Sequence, residues 1–296
     1  MRIAINGNKR QDGHLDHIAR LVSAFIAADH QVVMARPFLE YLTDRIGPRF
    51  ALGILPLELS EKPLADLAVS IGGDGAFLKT ARWVVDGGEP VAGINTGHLG
   101  FLSAFTFDRP EEIRSCLLEG RFDTDTRTLI EVSWDADTAP GGRPRRQTMT
   151  ALNEVAITRP DTASMVRLPT RVNGRDSLTY SGDGLIISTP TGSTAYNLSV
   201  GGPILDPRLG GFVLSPIAAH SLNIRPVVFS DSAEIEVLCE GRAPMLRMAV
   251  DGRAITLPTG TRVTLRKAPY TLSIVQNPGH CFSDTLLNKL GLGGLM

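Results

Sequence analysis

The run Leu67-Ala68-Val69-Ser70-Ile71-Gly72-Gly73-Asp74-Gly75 passes directly into Phe77-Leu78-Lys79-Thr80-Ala81-Arg82-Trp83-Val84. It reads as an apolar strand, a glycine turn and a helix. At such a helix start the free backbone N–H groups point outward, so the order strand, glycine turn, helix makes a phosphate cradle. Asp74 is out of place there, because a carboxylate repels phosphate. A fixed negative charge beside a phosphate makes sense where it accepts a proton, holds a metal or orients a hydroxyl. The combination suggests phosphoryl transfer to an alcohol.

The surroundings repeat the same alternation. Residues 2–6 read as a short buried strand. Residues 15–28 carry helical apolar spacing at Leu15, Ile18, Leu21, Val22, Phe25 and Ile26. A strand at 32–35 follows, then strand 67–71, a helix at 76–85 and a strand at 91–94 with the loop Asn95-Thr96-Gly97-His98-Leu99-Gly100. Residues 110–118 begin as a proline-led, acid-rich helix start. Strands alternating with helices predict a parallel, doubly wound sheet whose ligands sit at the carboxyl ends of the strands. Both glycine loops, 72–75 and 95–100, fall on that edge.

Near Phe122 the character changes. Short β-rich runs follow at 128–134, 150–158, 168–172, 185–188, 212–217, 233–238, 246–250 and 263–266, and Asn173-Gly174 is a hairpin turn signal. The expected division is an α/β N-terminal domain with a parallel sheet over 1–122 and an all-β C-terminal sandwich domain over 123–275. The tail 276–296 is too short for a domain and is expected to pack back on the first. The polar stretch 135–147 carries Arg143, Arg145 and Arg146, read as a hairpin tip, with anion binding as the alternative.

The 296 residues are 43% hydrophobic and 21% charged, with a formal net charge of -1. That balance gives no long-range field for nucleic acid or an anionic membrane. Cys116, Cys239 and Cys281 lack metal-ligand spacing and read as buried thiols of a reducing compartment. The start has no apolar signal core, and no run approaches the roughly 18 apolar residues of a membrane span. The expectation is a soluble, cytoplasmic chain.

A second Gly-Asp-Gly at 182–184 precedes the run Leu185–Ser188. Its sequel, Thr189-Pro190-Thr191-Gly192-Ser193-Thr194-Ala195-Tyr196, carries more hydroxyls than a helix cap needs and suits a polar, ribose-rich or phosphate-rich ligand. In a regular strand Asn153 and Glu154 would face opposite sides, so a bend or a shared ligand is expected there. His14 and His17 share a helix and could touch one metal, surface positions being the plainer reading; His98 is a further site candidate. The chain lacks the Gly-x4-Gly-Lys-Ser/Thr loop, the third glycine of a dinucleotide fingerprint and the triplets of protein kinases.

Taken in order, Gly72-Gly73-Asp74-Gly75, the block 93–102, Leu152-Asn153-Glu154, the block 183–196 and Asp251-Gly252-Arg253 resemble the NAD kinase family, over most of the chain. The first motif is shared with diacylglycerol and sphingosine kinases; the 183–196 block is far more specific. The resemblance implies transfer of the γ-phosphoryl of ATP to the 2′-hydroxyl of the adenosine ribose of NAD, giving NADP and ADP with a divalent metal, Mg²⁺ foremost. It makes Asp74 the catalytic aspartate and an NAD contact, and Gly72, Gly73 and Gly75 the ATP phosphate loop. Gly75, Lys79, Asn153, Glu154, Thr194, Ala195, Tyr196, Ser199 and Arg253 fall on NAD-contacting positions. Asp183 falls on one often supplied across a subunit interface, so a homodimer or homotetramer is implied. Two departures stand out: Ser181 replaces a residue often basic in relatives, and Arg253 stands where some carry Gln. Gly75 is expected to take a positive φ and let the backbone approach the phosphates. The alternatives are a lipid kinase of the same superfamily and an idle NAD(P) sensor. Polyphosphate as donor stays open beside ATP.

Overall fold

The computed structural model describes residues 1–97, 100–136, 145–160, 164–278 and 281–291. His98 and Arg143, named above, lie outside the described residues. The chain divides into two compact units, one of Met1–Thr126 with the described residues from Leu272 on, the other of Arg127–Thr271.

The first unit opens with β1 (Arg2–Gly7), whose Ile3, Ala4 and Ile5 are fully buried. Helix α1 (Leu15–Ala27) covers the sheet with Ile18, Leu21, Val22 and Phe25, one stripe at three- and four-residue spacing. After β2 (Gln31–Ala35) the chain enters α2 (Arg36–Ile46) with no connecting loop. Pro37 in its first turn has a φ already suited to a helix, and Phe38, Leu39 and Leu42 are buried. Neither α2 nor β3 (Ile54–Leu57) is among the expected elements, although the spacing of these apolar residues after Pro37 was a helix signal. Then come β4 (Leu67–Ile71) and α3 (Asp74–Val84), which starts on the glycine turn, two residues before the expected 76. β5 (Val91–Asn95), the short β6 (Phe105–Thr106), α4 (Pro110–Ile113) with a wide π-type turn over Arg114–Leu118, and β7 (Asp123–Arg127) follow.

In the second unit the strands are β8 (Ile130–Ala136), β9 (Arg145–Ala151), β10 (Glu154–Thr158), β11 (Val166–Val172), β12 (Arg175–Gly182) and β13 (Gly184–Ser188). A 3-10 turn over Thr191–Thr194 and the single-turn α5 (Tyr196–Ser199) precede β14 (Gly211–Ile217), β15 (Val227–Ser230), β16 (Ile235–Leu238) and β17 (Glu240–Gly241). β18 (Met245–Val250), β19 (Arg253–Pro258) and β20 (Arg262–Lys267) complete it. Two sheets form, ordered β15-β14-β13-β10-β18-β19 and β12-β11-β16-β20-β8-β9, with β17 on β11. Every pairing recorded within them is antiparallel. Alternate residues of both, such as Ile130 and Val132, Leu185 and Ile187, Ile235 and Val237, Leu246 and Met248, meet in one core. The two-residue strand period thus sorts a sandwich.

The run 150–158, expected as one strand, is two: β9 ends at Ala151 and β10 starts at Glu154. The two strands also belong to different sheets, so the chain turns a corner at Leu152-Asn153. Two tight hairpins show the paired positive φ of type I′ turns, Asn173-Gly174 (51° and 74°) and Asp251-Gly252 (45° and 75°).

After β20 the chain supplies β21 (Leu272–Gln276) to the first sheet and ends its described part in α6 (Phe282–Leu290). The first sheet runs β3-β2-β1-β4-β5-β21-β7, with β6 on β5, and its pairs β3/β2, β2/β1, β1/β4, β4/β5, β5/β21 and β5/β6 are parallel. The strand order reverses between β1 and β4, and a doubly wound sheet binds ligands in the crevice at the carboxyl ends of such a pair. Cys116 and Cys239 are buried, but Cys281 is exposed, contrary to the expectation of three buried thiols. It sits at the N-cap of α6, where its backbone N–H donates to Asp284. No helix among the described residues is long and apolar enough to cross a membrane.

Candidate functional site

In the α/β unit the turns after β1 and β4 interlock. The Asn8 N–H donates to the Ile71 carbonyl at 3.2 Å, and the Asn8 side chain lies against Gly72. Gly72 takes φ +133°, and a Cβ there would stand 2.8 Å from Asn8 Nδ2, so both backbone and space demand glycine. The positive φ expected at Gly75 is therefore found at Gly72: Gly75 belongs to the first turn of α3 and is absent from the left-handed residues. A Cβ at Gly73 or Gly75 would meet nothing within 4 Å.

Beside these glycines is a cleft of about 620 Å³. Gly73, Gly75, Ala76 and Lys79 line one wall, Asn6 to Arg10 another, with Pro37, Phe38 and Leu59 closing it. Lys9, Arg10 and Lys79 are exposed there, and no salt bridge among the described residues engages them. The first turn of α3 carries the positive end of its dipole, although the Ala76 N–H already donates to the Gly73 carbonyl at 2.8 Å. Cations, bare glycine backbone and a helix start give this cleft a chemistry that suits a polyanion. The basic pair Lys9-Arg10 was missed in the sequence, although it directly follows a buried strand.

Asp74 faces elsewhere. Its carboxylate accepts from the Phe101 N–H at 3.1 Å and the Leu102 N–H at 3.3 Å, and Gly100 is packed on it so closely that a Cβ would lie 1.9 Å from Oδ1. The loop after β5 thus fixes the carboxylate of the turn after β4, the two strands being neighbours. The Phe101 ring in turn carries the Lys289 ammonium of α6, 5.0 Å from its centroid. The described residues contain no group of three or more His, Cys, Asp or Glu arranged to hold a metal, and that includes His14 and His17, whose rings stack on Phe107 instead. A Mg²⁺ carried on nucleotide phosphates needs only one or two protein carboxylates; Asp74 is the carboxylate of the glycine turn, its two oxygens already accepting amide N–H bonds.

In the β unit the corner at 152–154 gathers the other candidates. The Asp251 carboxylate accepts from the backbone N–H of Leu152 (2.7 Å), Asn153 (2.9 Å) and Glu154 (3.1 Å). Gly192 lies flat against Asn153, since a Cβ there would stand 2.1 Å from the Asn153 carbonyl oxygen. Asn153 Oδ1, Glu154 Oε2 and Thr191 Oγ1 are buried with no hydrogen-bond partner among the described residues. Two orphaned acceptors and an orphaned hydroxyl near one corner ask for partners from outside. Burial, then the nearby Asp251 charge, push the Glu154 carboxyl up to about 7 against the pull of the Tyr196 N–H. Burial also raises Asp251, opposed by its three amide bonds and by Arg253.

The hydroxyl-rich segment is used differently from the expectation. Thr189 Oγ1 donates to the Leu152 carbonyl at 2.5 Å and accepts from the Gly192 N–H at 3.0 Å. Ser188 and Ser193 likewise bond backbone carbonyls, and Thr194 bonds Thr191. Most of these hydroxyls build the turn, leaving Thr191 as the orphan. Thr194 and Ala195 are half-buried, while Tyr196 and Ser199 are exposed. Arg253 is engaged by the Val250 and Thr150 carbonyls at 3.2 and 2.8 Å. The Asp183 carboxylate forms an ion pair with Arg159 at 2.9 Å, a partner unforeseen in the sequence. Its N–H and C=O meanwhile bond Ile217 and Arg159, so the turn itself is well anchored.

A doubly wound sheet with an anion cleft at its switch point, carrying an amide-held aspartate and followed by an antiparallel sandwich, defines a phosphate-handling two-unit protein. The sequence pattern of the ATP-NAD kinase N-terminal domain matches residues 57–122, and that of the ATP-NAD kinase C-terminal domain matches residues 152–277. The NAD kinase of Bacteroides fragilis is 37% identical over 295 residues, covering 99% of this chain and 98% of the relative. That of Porphyromonas gingivalis is 37% identical over 292 residues, with 99% and 98% covered. The chain belongs to the NAD kinase family. Among solved structures, yeast NADH kinase complexed with NADH superposes with a TM-score of 0.87 over 100% of this chain and 89% of that one. Its identity of 20% speaks for the fold alone. An NAD kinase from Archaeoglobus fulgidus in complex with ATP gives 0.70 at 25% identity, covering 99% and 100%.

Proposed function

We propose that the chain transfers the γ-phosphoryl of ATP to the 2′-hydroxyl of the adenosine ribose of NAD, forming NADP and ADP. Family membership sets the reaction class. The observation that carries the residue assignment is Asp74, its two carboxylate oxygens held by the Phe101 and Leu102 amides beside a cation-lined cleft. A ribose hydroxyl is a poor nucleophile whose proton must leave as the new P–O bond forms. Asp74 orients that hydroxyl and accepts its proton late, a contribution of roughly 10²–10⁴ in rate. Amide bonds to the carboxylate fix its direction, and positioning and charge stabilisation account for most of phosphoryl-transfer catalysis.

The ATP phosphates fit the cleft, with Gly72 shaping the turn, Gly73 and Gly75 leaving its wall bare, and Lys9, Arg10 and Lys79 offsetting charge. A divalent cation, Mg²⁺ most simply, would ride on those phosphates and neutralise their charge. For NAD, the orphaned acceptors of Asn153 and Glu154 suit ribose hydroxyls or an amide. Thr194, Ala195, Tyr196 and Ser199 supply the remaining surface of the β unit, and Gly75 and Lys79 keep the NAD role that the family resemblance gives them. Asp183 and Arg253 keep the NAD role that the family resemblance gives them, each already held by a partner within its own unit. A cytoplasmic homo-oligomer is the form we propose.

The deciding experiment incubates the purified chain with ATP, NAD and Mg²⁺ and follows NADP with an NADP-specific dehydrogenase. NADP formation that needs all three is the expected result. NAD binding without turnover would leave a sensor instead, and phosphorylation of diacylglycerol or sphingosine in vesicles would point to a lipid kinase.

A further inference from the structure

We infer that Asp251 is a positioning residue for the NAD site: its carboxylate holds the Leu152–Glu154 corner in the shape that presents the Asn153 and Glu154 side chains to the ligand. This rests on the reading that those two side chains bind NAD. A chain passing from one sheet to another at a corner has amides that neither ladder satisfies, and buried unpaired amides are costly. Here three consecutive N–H groups converge on one carboxylate at 2.7–3.1 Å. The bond is returned by the backbone, the Asp251 N–H donating to the Glu154 carbonyl at 3.1 Å.

The hairpin explains why the carboxylate sits there. Asp251 and Gly252 are the two turn residues between the paired Val250 and Arg253, both at positive φ. Aspartate and asparagine tolerate that conformation better than other side chains. β18 lies beside β10 with Val250 opposite Val155, so the turn residue after Val250 falls next to the corner before Val155. Asparagine would make the same turn but offers one acceptor oxygen and no charge. Among the described residues, the groups acting on Glu154 are the Asp251 carboxylate and the Tyr196 N–H, while Arg253 acts on Asp251. Asp251 therefore also supplies the negative charge that Glu154 feels.

The test compares Asp251→Asn with wild type in steady-state assays over pH 5.5–9. Asn-Gly is itself a favoured type I′ pair, so the variant is expected to fold. Loss of charge-assisted bonds should raise KM for NAD about tenfold or more and leave KM for ATP within about twofold. Removing the neighbouring charge lets Glu154 ionise at lower pH, so the limb of the kcat/KM profile for NAD that Glu154→Gln abolishes should move to lower pH. An unchanged KM for NAD, or equal rises for both substrates with an unmoved limb, would overturn the inference. Asn153→Ala separates it from the reading beneath. If that variant binds NAD normally, the NAD assignment itself fails; if it weakens NAD while Asp251→Asn does not, only the role of Asp251 falls. Hydrogen exchange in wild type tests the point without mutation. The Leu152, Asn153 and Glu154 amides should already be protected without NAD, whereas protection arising only on NAD addition would mean that the ligand makes the corner.

Discussion

Asp74 shows how far a single residue can be read from sequence. A carboxylate in a glycine turn signalled proton transfer or metal chemistry, but nothing nearby in the chain told what would hold it. The Phe101 and Leu102 amides and Gly100 lie more than twenty positions on and come near only because β4 and β5 are parallel neighbours. Asp74→Asn should fold, bind NAD with near wild-type affinity and lose at least about 10²-fold in kcat. Unchanged turnover would remove it from the base role. Gly100→Ala tests the support, since its Cβ would collide with Oδ1 at 1.9 Å. We expect kcat to fall by about tenfold or more while KM for ATP stays nearly constant. Gly75→Val should do the opposite. Its Cβ meets open space on the cleft wall, so the added bulk should raise KM for ATP far more than KM for NAD. Equal effects on the two substrates would place the phosphates elsewhere.

At the scale of elements, the sequence marked what is periodic and missed what is not. The strands of both sheets follow two-residue alternation, and α1 follows a helical stripe, so their burial was legible. The corner at Leu152-Asn153 is different: the polar pair Asn153-Glu154 signalled a bend or a shared ligand, but the side chain that holds the bend, Asp251, lies about a hundred positions away. The 188–199 segment misled for a related reason. A hydroxyl that bonds a distant carbonyl is indistinguishable in sequence from one that awaits a ligand. Asn197 shows the structural use most clearly. It is fully buried; Nδ2 donates to the Ser193 and Pro203 carbonyls at 3.0 Å each, and Oδ1 accepts from the Ser215 hydroxyl at 2.6 Å. A side chain with this many bonds staples the turn to β14. Asn197→Ala leaves those three partners stranded, so unfolding free energy should drop by roughly 2–4 kcal/mol. A melting temperature equal to wild type would show that the segment holds its shape without the staple.

For the molecule as a whole, buried carboxyls tie stability to pH. Glu154 moves from its ordinary 4.5 to about 7, chiefly because burial disfavours its charge. Between those values the folded chain holds a proton that the unfolded chain has released. Stability from this group is therefore complete below about 4.5 and is lost as pH rises through about 7. Full expression of the shift is worth roughly 3 kcal/mol at most. Asp206 acts in the opposite sense: its hydrogen bond with Arg208 lowers it to about 2, so its contribution is lost only as pH falls below its ordinary 3.8. Its partial exposure makes that contribution small. Over pH 5–7.5 Glu154 should dominate these shifts. Urea unfolding of the NAD-free chain is expected to show falling stability across that range, and Glu154→Gln, which cannot ionise, should flatten the fall. A wild-type curve that is level, or a variant curve as steep as the wild type's, would mean that Glu154 is ionised in the folded chain across the whole range. The loss of stability at high pH would be the energetic counterpart of a carboxylate kept at the corner for the proposed NAD ligand: Oε2 has no partner among the described residues, and on that proposal NAD would supply the missing donor.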